Sequence, residues 1–218
     1  MSDIGVLNGP DFRITIAIVF SVLAVCSFLI GSIPFGYLIG RFVYRTDIRK
    51  SGSGNIGAMN ALRTLGKGGA VAVLLLDAAK GALPVVAVSF AIGPADQDIV
   101  RSAQAFAAAS AVLGHCFSPW LAFKGGKGVA TSFGAIFALC WPAGLVVVLG
   151  WVLGALVLTR FSSVGSMLAN VISPFALFYF TRSWAEAAYG VFAALLIIWT
   201  HRENIGRLRS GTENPIKV

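Results

Sequence analysis

Long runs of apolar positions, separated by short polar stretches, occupy most of the chain. A helix needs about 20 mostly apolar residues to cross a bilayer, and the runs at 14–40, 69–92, 102–122, 127–141, 143–159, 163–181 and 185–200 meet or approach that length. They predict seven transmembrane helices. The fourth run is short and opens with glycines, which suits a segment that begins tucked against protein, so six spans is the alternative count. Turn-forming sequence marks the breaks: GPADQD at 93–98, Trp141-Pro142 and TRSW at 181–184.

Composition agrees with this pattern. Of the 218 residues, 57% are hydrophobic and 12% charged, whereas a soluble domain carries about 25% charged residues. The expectation is an all-α, polytopic membrane helix bundle forming one domain over residues 1–218. Disorder is excluded by the hydrophobicity. Nucleic-acid binding is excluded despite the basic charge, because it needs a soluble fold with a basic face. Cys26, Cys116 and Cys140 lie far apart with no histidine at metal spacing, so neither a disulfide framework, a metal site nor a cofactor is expected. No basic region precedes Arg13, and the first apolar run is too long for a signal sequence; it reads as a retained span.

The net charge of +8 is unevenly placed. With the amino terminus outside, 13 of the 17 basic residues fall in cytoplasmic loops, and the charge divides into +10 inside and −2 outside. The positive-inside rule therefore predicts a periplasmic amino terminus and a cytoplasmic carboxy terminus.

Three of the inner segments mix glycine, hydroxyl or amide side chains, and cations: SGSGNIGAMNALRTLGKGG at 51–69, FKGGKG at 123–128 and HRENIGRLRSGTEN at 201–214. Gly52, Gly54 and Gly57 let backbone N–H groups converge on an anion. Ser53, Asn55 and Asn60 add neutral donors, and Arg63 offers a forked contact to phosphate. The first loop is not a P-loop, since Gly68 follows Lys67 where Ser or Thr is required. Alone it could be a flexible connector, but its pairing with Lys124 and Lys127 favours phosphate binding. His201 and Asn204, three residues apart, are placed on one helix face pointing into a site, with an interfacial collar as the alternative. Neither His115 nor His201 is followed five positions later by Asp, so the His-x4-Asp acyltransferase dyad is absent. His115 reads first as a hydrogen-bonded packing residue. Asp77 and Lys80 lie inside an apolar run and either neutralise each other or reach toward the site. Ser32, beside Gly31, Gly36 and Gly40, reads as a packing residue.

Five motifs carry a family resemblance: GSIPFGYLIGR at 31–41, SGSGNIGAMNALRTLG at 51–66, Asp77 to Gly81, GHCFSPWLAFKGGKGVAT at 114–131 and HRENIGRLRSGTE at 201–213. In this order and spacing the chain resembles the bacterial acyl-phosphate:glycerol-3-phosphate acyltransferases, the PlsY family. Ile56, Met59 and the segment 117–121 depart from that pattern, and Met59 removes a hydroxyl. The resemblance implies a seven-span enzyme of the bacterial inner membrane with its active site facing the cytoplasm. It would move a fatty acyl group from acyl phosphate to the sn-1 hydroxyl of glycerol 3-phosphate, giving lysophosphatidic acid and phosphate. The implied catalytic set is Ser53, Lys127, His201 and Asn204. The resemblance also implies Asn55, Asn60 and Arg63 as site positions; with Gly52, Gly54, Gly57 and Lys124 from the loop reading above, these make up the expected phosphate-binding set. Its expected partners are the two substrates and membrane lipid, with no obligate protein partner. Direct transfer without an acyl-enzyme is expected, with the base either the leaving phosphate or His201. An organic-phosphate transporter is the competing class, but the polar residues cluster at one face and the halves show no repeat. A membrane assembly subunit would not require three phosphate-suited loops.

Overall fold

The computed structural model describes residues 10–92 and 96–216, with side chains described from Ile14 onward. Asp3, the side chains of Asp11 and Arg13, residues 93–95 and Lys217, all used above in placing charge and turns, lie outside the described residues. Within these bounds the fold is helical. The helices are α1 (Pro10–Ser32), α2 (Phe35–Leu38), α3 (Ala58–Ala91), α4 (Gln97–Cys116), α5 (Val129–Leu139), α6 (Trp141–Val152), α7 (Ser162–Thr181), α8 (Trp184–Thr200) and α9 (Arg202–Arg209). Four stretches, Ile14–Val43, Ala58–Ala91, Trp141–Leu158 and Ser162–Thr181, are long and apolar enough to cross a membrane, and the bent pair α8 and α9 makes a fifth.

Each predicted run contains one of the longer helices, with shifted ends. The first is broken because Pro34 lacks an N–H and disfavours helix at the residue before it; α1 stops at Ser32 and the chain resumes at Phe35. The second starts earlier than hydrophobicity suggests. Gly57 caps α3, and the helix-forming stretch from Ala58 carries Arg63 and Lys67 on its opening turns instead of in a loop. A kink at Gly66, with φ of 79°, then turns the helix. At 11 residues, α5 is about 16 Å long, short of the ~30 Å hydrocarbon core. It runs through Cys140 directly into α6.

The packing is inverted relative to a soluble bundle. Many large apolar side chains, such as Ile18, Leu75, Phe90, Leu149 and Phe175, are exposed, while alanine, serine and glycine are prominent among the buried residues beside Ile136, Leu177 and Ile197. An integral membrane protein is solvated by lipid, so close backbone approach takes the place of hydrophobic burial in choosing helix neighbours. Reciprocal glycines set these approaches. A Cβ at Gly31 would overlap the Ala111 backbone and one at Gly114 the Phe28 carbonyl, which joins α1 to α4. Gly81 and Gly134 do the same for α3 and α5, against the backbones of Thr131 and Ala78. Gly134→Val is expected to destabilise the bundle by about 3 kcal/mol or more, through overpacking that backbone cannot relieve. Gly206→Ala, with open space around it, should be neutral or slightly stabilising; thermal unfolding in detergent compares the two.

Candidate functional site

A cavity of about 440 Å³ lies at the end of the bundle where α3, α5 and α7 begin. Its wall includes Gly57, Ala58 and Met59 from the start of α3, Gly128, Val129 and Ala130 from the start of α5, and Ser162, Ser163 and Ser166 from α7. The first N–H groups of a helix have no partner within it. Three helices therefore turn their positive dipole ends toward one space, which favours an anion there.

Cations add to this field. Lys127, Arg63 and Arg207 all line the cavity. The Lys127 ammonium donates to Asn204 Oδ1, and the Lys127 carbonyl accepts from Thr200 Oγ1 at 3.1 Å. Asn204 Nδ2 donates to Glu213 Oε1 at 2.6 Å, as does Ser163 Oγ at 2.9 Å. Arg207 Nε donates to Glu213 Oε2 at 2.7 Å. One carboxylate thus ties the tail to α7 and α9. Partial burial works to raise the Glu213 pKa, but hydrogen bonds from Asn204, Arg207 and Ser163 outweigh it and hold the group below the usual range. For Lys127, burial first and the Arg207 charge second push the pKa down to about 8.

His201 sits where α8 ends and α9 turns away by 56°. Burial, then the Lys127 charge, lowers its pKa to about 4, so the ring is neutral near pH 7. Its Nδ1 lies 2.7 Å from the Ile197 carbonyl, which selects the Nδ1–H tautomer and leaves the lone pair on Nε2. The cavity also has an apolar lining: Leu74 on α3, Phe133 on α5, and Val148, Trp151 and Val152 on α6.

Ser53, Asn55, Gly57, Asn60, Arg63, Lys127, His201 and Asn204 all reach the wall, so eight of the eleven residues singled out from sequence are brought together. Three are not. Lys124 is exposed and off the wall. Gly52 and Gly54 shape the loop, with φ of 62° and 70°, and do not line the cavity. Two further readings change. Asn60 is no free donor: its Nδ2 donates to the carbonyls of Ile48 (2.8 Å), Ser51 (3.2 Å) and Asn55 (2.8 Å), while its Oδ1 accepts from Ser53 N (2.8 Å). It organises the loop from within. His201 and Asn204 do not share one continuous helix face, because the bend separates them; they converge through the turn between α8 and α9.

Sequence reasoning gave no site role to Arg207, Glu213 or the serines of α7. The available signal was Glu213, one of two acids, with Glu203, in a basic tail and the last residue of the fifth motif. Asp77 and His115 also line the cavity, and Asp77 pairs with Lys80 at 2.9 Å. Among the described residues, His, Cys, Asp and Glu do not gather in threes at metal-binding distance.

The sequence pattern of a family described as glycerol-3-phosphate acyltransferase matches residues 21–211. A glycerol-3-phosphate acyltransferase of Gluconobacter oxydans (strain 621H) is 45% identical over 200 residues, covering 90% of this chain and 93% of that one. One from Bartonella henselae (strain ATCC 49882 / DSM 28221 / CCUG 30454 / Houston 1) is 41% identical over 206 residues, covering 94% and 93%. Among solved structures, the glycerol 3-phosphate form of PlsY (YgiH), an integral membrane glycerol 3-phosphate acyltransferase, is similar with a TM-score of 0.81 and 35% identity. That match covers 91% of this chain and 96% of the other. The lysophosphatidic acid form gives a TM-score of 0.80.

Proposed function

The chain belongs to the glycerol-3-phosphate acyltransferase family, and from that premise we propose that it transfers a fatty acyl group from acyl phosphate to the sn-1 hydroxyl of glycerol 3-phosphate. The observation that carries this reading is the cavity itself, which joins three helix N-termini and three cations to an apolar stretch of wall. Two phosphate-bearing substrates, one with a lipid tail, need both.

Transfer proceeds in one displacement. The sn-1 oxygen attacks the acyl carbonyl carbon, the bond from that carbon to the phosphate oxygen breaks, and phosphate leaves with its electron pair. Lys127, Arg63 and Arg207 hold phosphate, while the helix N-termini take up developing charge. Phosphate is a good leaving group, so placement supplies much of the acceleration. The hydroxyl proton passes to the departing phosphate, with His201 and Asn204 orienting the hydroxyl; the Nε2 lone pair makes His201 the alternative base. None of the cavity serines described is hydrogen-bonded to a histidine, which supports transfer without an acyl-enzyme.

The seven longer helices support a seven-span reading, with α5 as the short span. Charge asymmetry supports an inner-membrane protein with its site on the cytoplasmic side. The test is direct: purified protein in detergent should convert glycerol 3-phosphate and acyl phosphate to lysophosphatidic acid, and fail with acyl-CoA. Acyl label remaining on protein after a quench would overturn direct transfer. Accumulation of unchanged substrate in sealed vesicles, without product, would instead indicate transport.

Lys127 also sets a pH dependence. Binding phosphate requires its ammonium, and its pKa is about 8, so the competent fraction falls as pH rises through that value. The substrate phosphate is fully ionised above about pH 6–7, so kcat/KM for glycerol 3-phosphate should be flat near pH 7. By pH 9 it should drop about tenfold, as 1 pH unit above a pKa requires. Lys127→Arg, whose guanidinium keeps its proton, should lose this basic limb even where its rate is low. An unchanged limb in that variant would assign the ionisation elsewhere.

A further inference from the structure

The loop that presents Lys127 leans on a buried imidazole. Gly126 N donates to the His115 carbonyl at 3.0 Å and Gly125 N to the Cys116 carbonyl at 3.1 Å, which fastens the loop to the last turn of α4. A Cβ on Gly126 would overlap His115 Nε2, so the glycine backbone lies directly on the edge of the ring. His115 is 3% exposed, and its Nδ1 faces Asp77 Oδ1 at 3.7 Å. Asp77 in turn holds Lys80 at 2.9 Å, and Lys80 Nζ donates to the Ile33 carbonyl at 2.6 Å. A line of contacts therefore runs from the break between α1 and α2, through α3 and α4, to the residue before Lys127.

We propose that His115 is a positioning residue for glycerol 3-phosphate binding, its imidazole serving as the shelf that sets the height of Gly126 and hence of the Lys127 ammonium. The proposal deepens the function given above and rests on Lys127 being a cation that meets the substrate phosphate. A planar ring suits this task. It is thin enough for a glycine backbone to approach its Nε2 edge, while the Nδ1 edge faces Asp77. An aliphatic side chain of similar volume would fill the space without fixing a plane. The shelf matters because the contact from Lys127 to the substrate phosphate weakens steeply once its donor is displaced by about 1 Å from hydrogen-bond distance.

The experiment is steady-state kinetics with glycerol 3-phosphate varied at saturating acyl phosphate, on detergent-purified variants with thermal unfolding recorded for each. Gly126→Ala should raise KM for glycerol 3-phosphate about tenfold or more, because the methyl lifts the loop off the ring. In a His115→Ala background the same substitution should add less than about twofold, since the obstacle is gone. Gly125→Ala meets backbone oxygens of His115 and Cys116 instead, so His115→Ala should not relieve it. Effects that multiply for Gly126 and His115, or equal relief of both glycine variants, would overturn the shelf. If Gly126→Ala cannot be obtained folded, His115→Ala alone decides: KM rising with kcat within about twofold supports positioning, and a loss confined to kcat refutes it. Lys127→Ala separates the two levels. If it leaves kcat/KM unchanged, the functional reading fails; if it lowers kcat/KM while the glycine variants show no coupling, only the shelf fails.

Discussion

Lys127→Ala is expected to lower kcat/KM for glycerol 3-phosphate by about 10²–10³-fold, the cost of removing one preorganised donor from a charge-stabilising site. On the proposed assignment the side chain meets substrate and contributes little to the fold. Its ammonium is already disfavoured by burial and by Arg207, so its removal should leave the melting temperature in detergent nearly unchanged. It does free Asn204 Oδ1, but Asn204 keeps its bond to Glu213. Arg63→Ala should cost less, about tenfold, because Arg63 is exposed and a solvated cation is a weaker partner. Normal turnover and affinity in both variants would refute this placement of the phosphate.

Asn60→Asp is expected to be as severe by a different route. The change alters shape almost not at all, yet it replaces an amide that donates to the carbonyls of Ile48, Ser51 and Asn55 with an oxygen facing the same three carbonyls. Asn60 is 2% exposed, so water cannot substitute. Leaving buried acceptors unmade costs about 1–3 kcal/mol each, and placing a carboxylate among them adds to that. The loop carrying Ser53 and Asn55 should come apart, with kcat/KM falling at least about 100-fold, the equivalent of losing about 2.7 kcal/mol at the site. Unlike Lys127→Ala, this variant should also unfold at lower temperature. A variant with parental kinetics would show that the loop needs no internal brace.

The contrast between these residues explains what sequence reading could and could not reach. Membrane segments announce themselves through length and hydrophobicity, so the runs around α6, α7 and α8 were located to within a few residues. Arg63, Lys127, His201 and Asn204 were legible because cations and amides beside glycines are expensive to keep in a chain so apolar. Asn60 looked the same in sequence whether its amide faced a ligand or the loop carbonyls, and only the folded loop distinguishes them. Lys124 and Lys127 differ by three positions, yet one is exposed and the other lies on the wall; the left-handed turn at Ala122 and Phe123 precedes that divergence and carries no periodic signal. The convergence of three helix starts is a property of bundle order, which depends on contacts such as Gly31 with Ala111 that no local pattern encodes.

Beyond Arg209 the described chain forms no further helix, which makes it look like a convenient place to trim or to attach a purification handle. Ile216 N donates to the Arg160 carbonyl at 2.8 Å, and Glu213 joins Ser163, Asn204 and Arg207. A truncation placed just after α9 would therefore preserve every helix and still remove the clasp between α7 and α9. For protein engineering, the practical boundary of this enzyme lies past its last helix, and a spacer placed beyond Ile216 is the safer point of fusion.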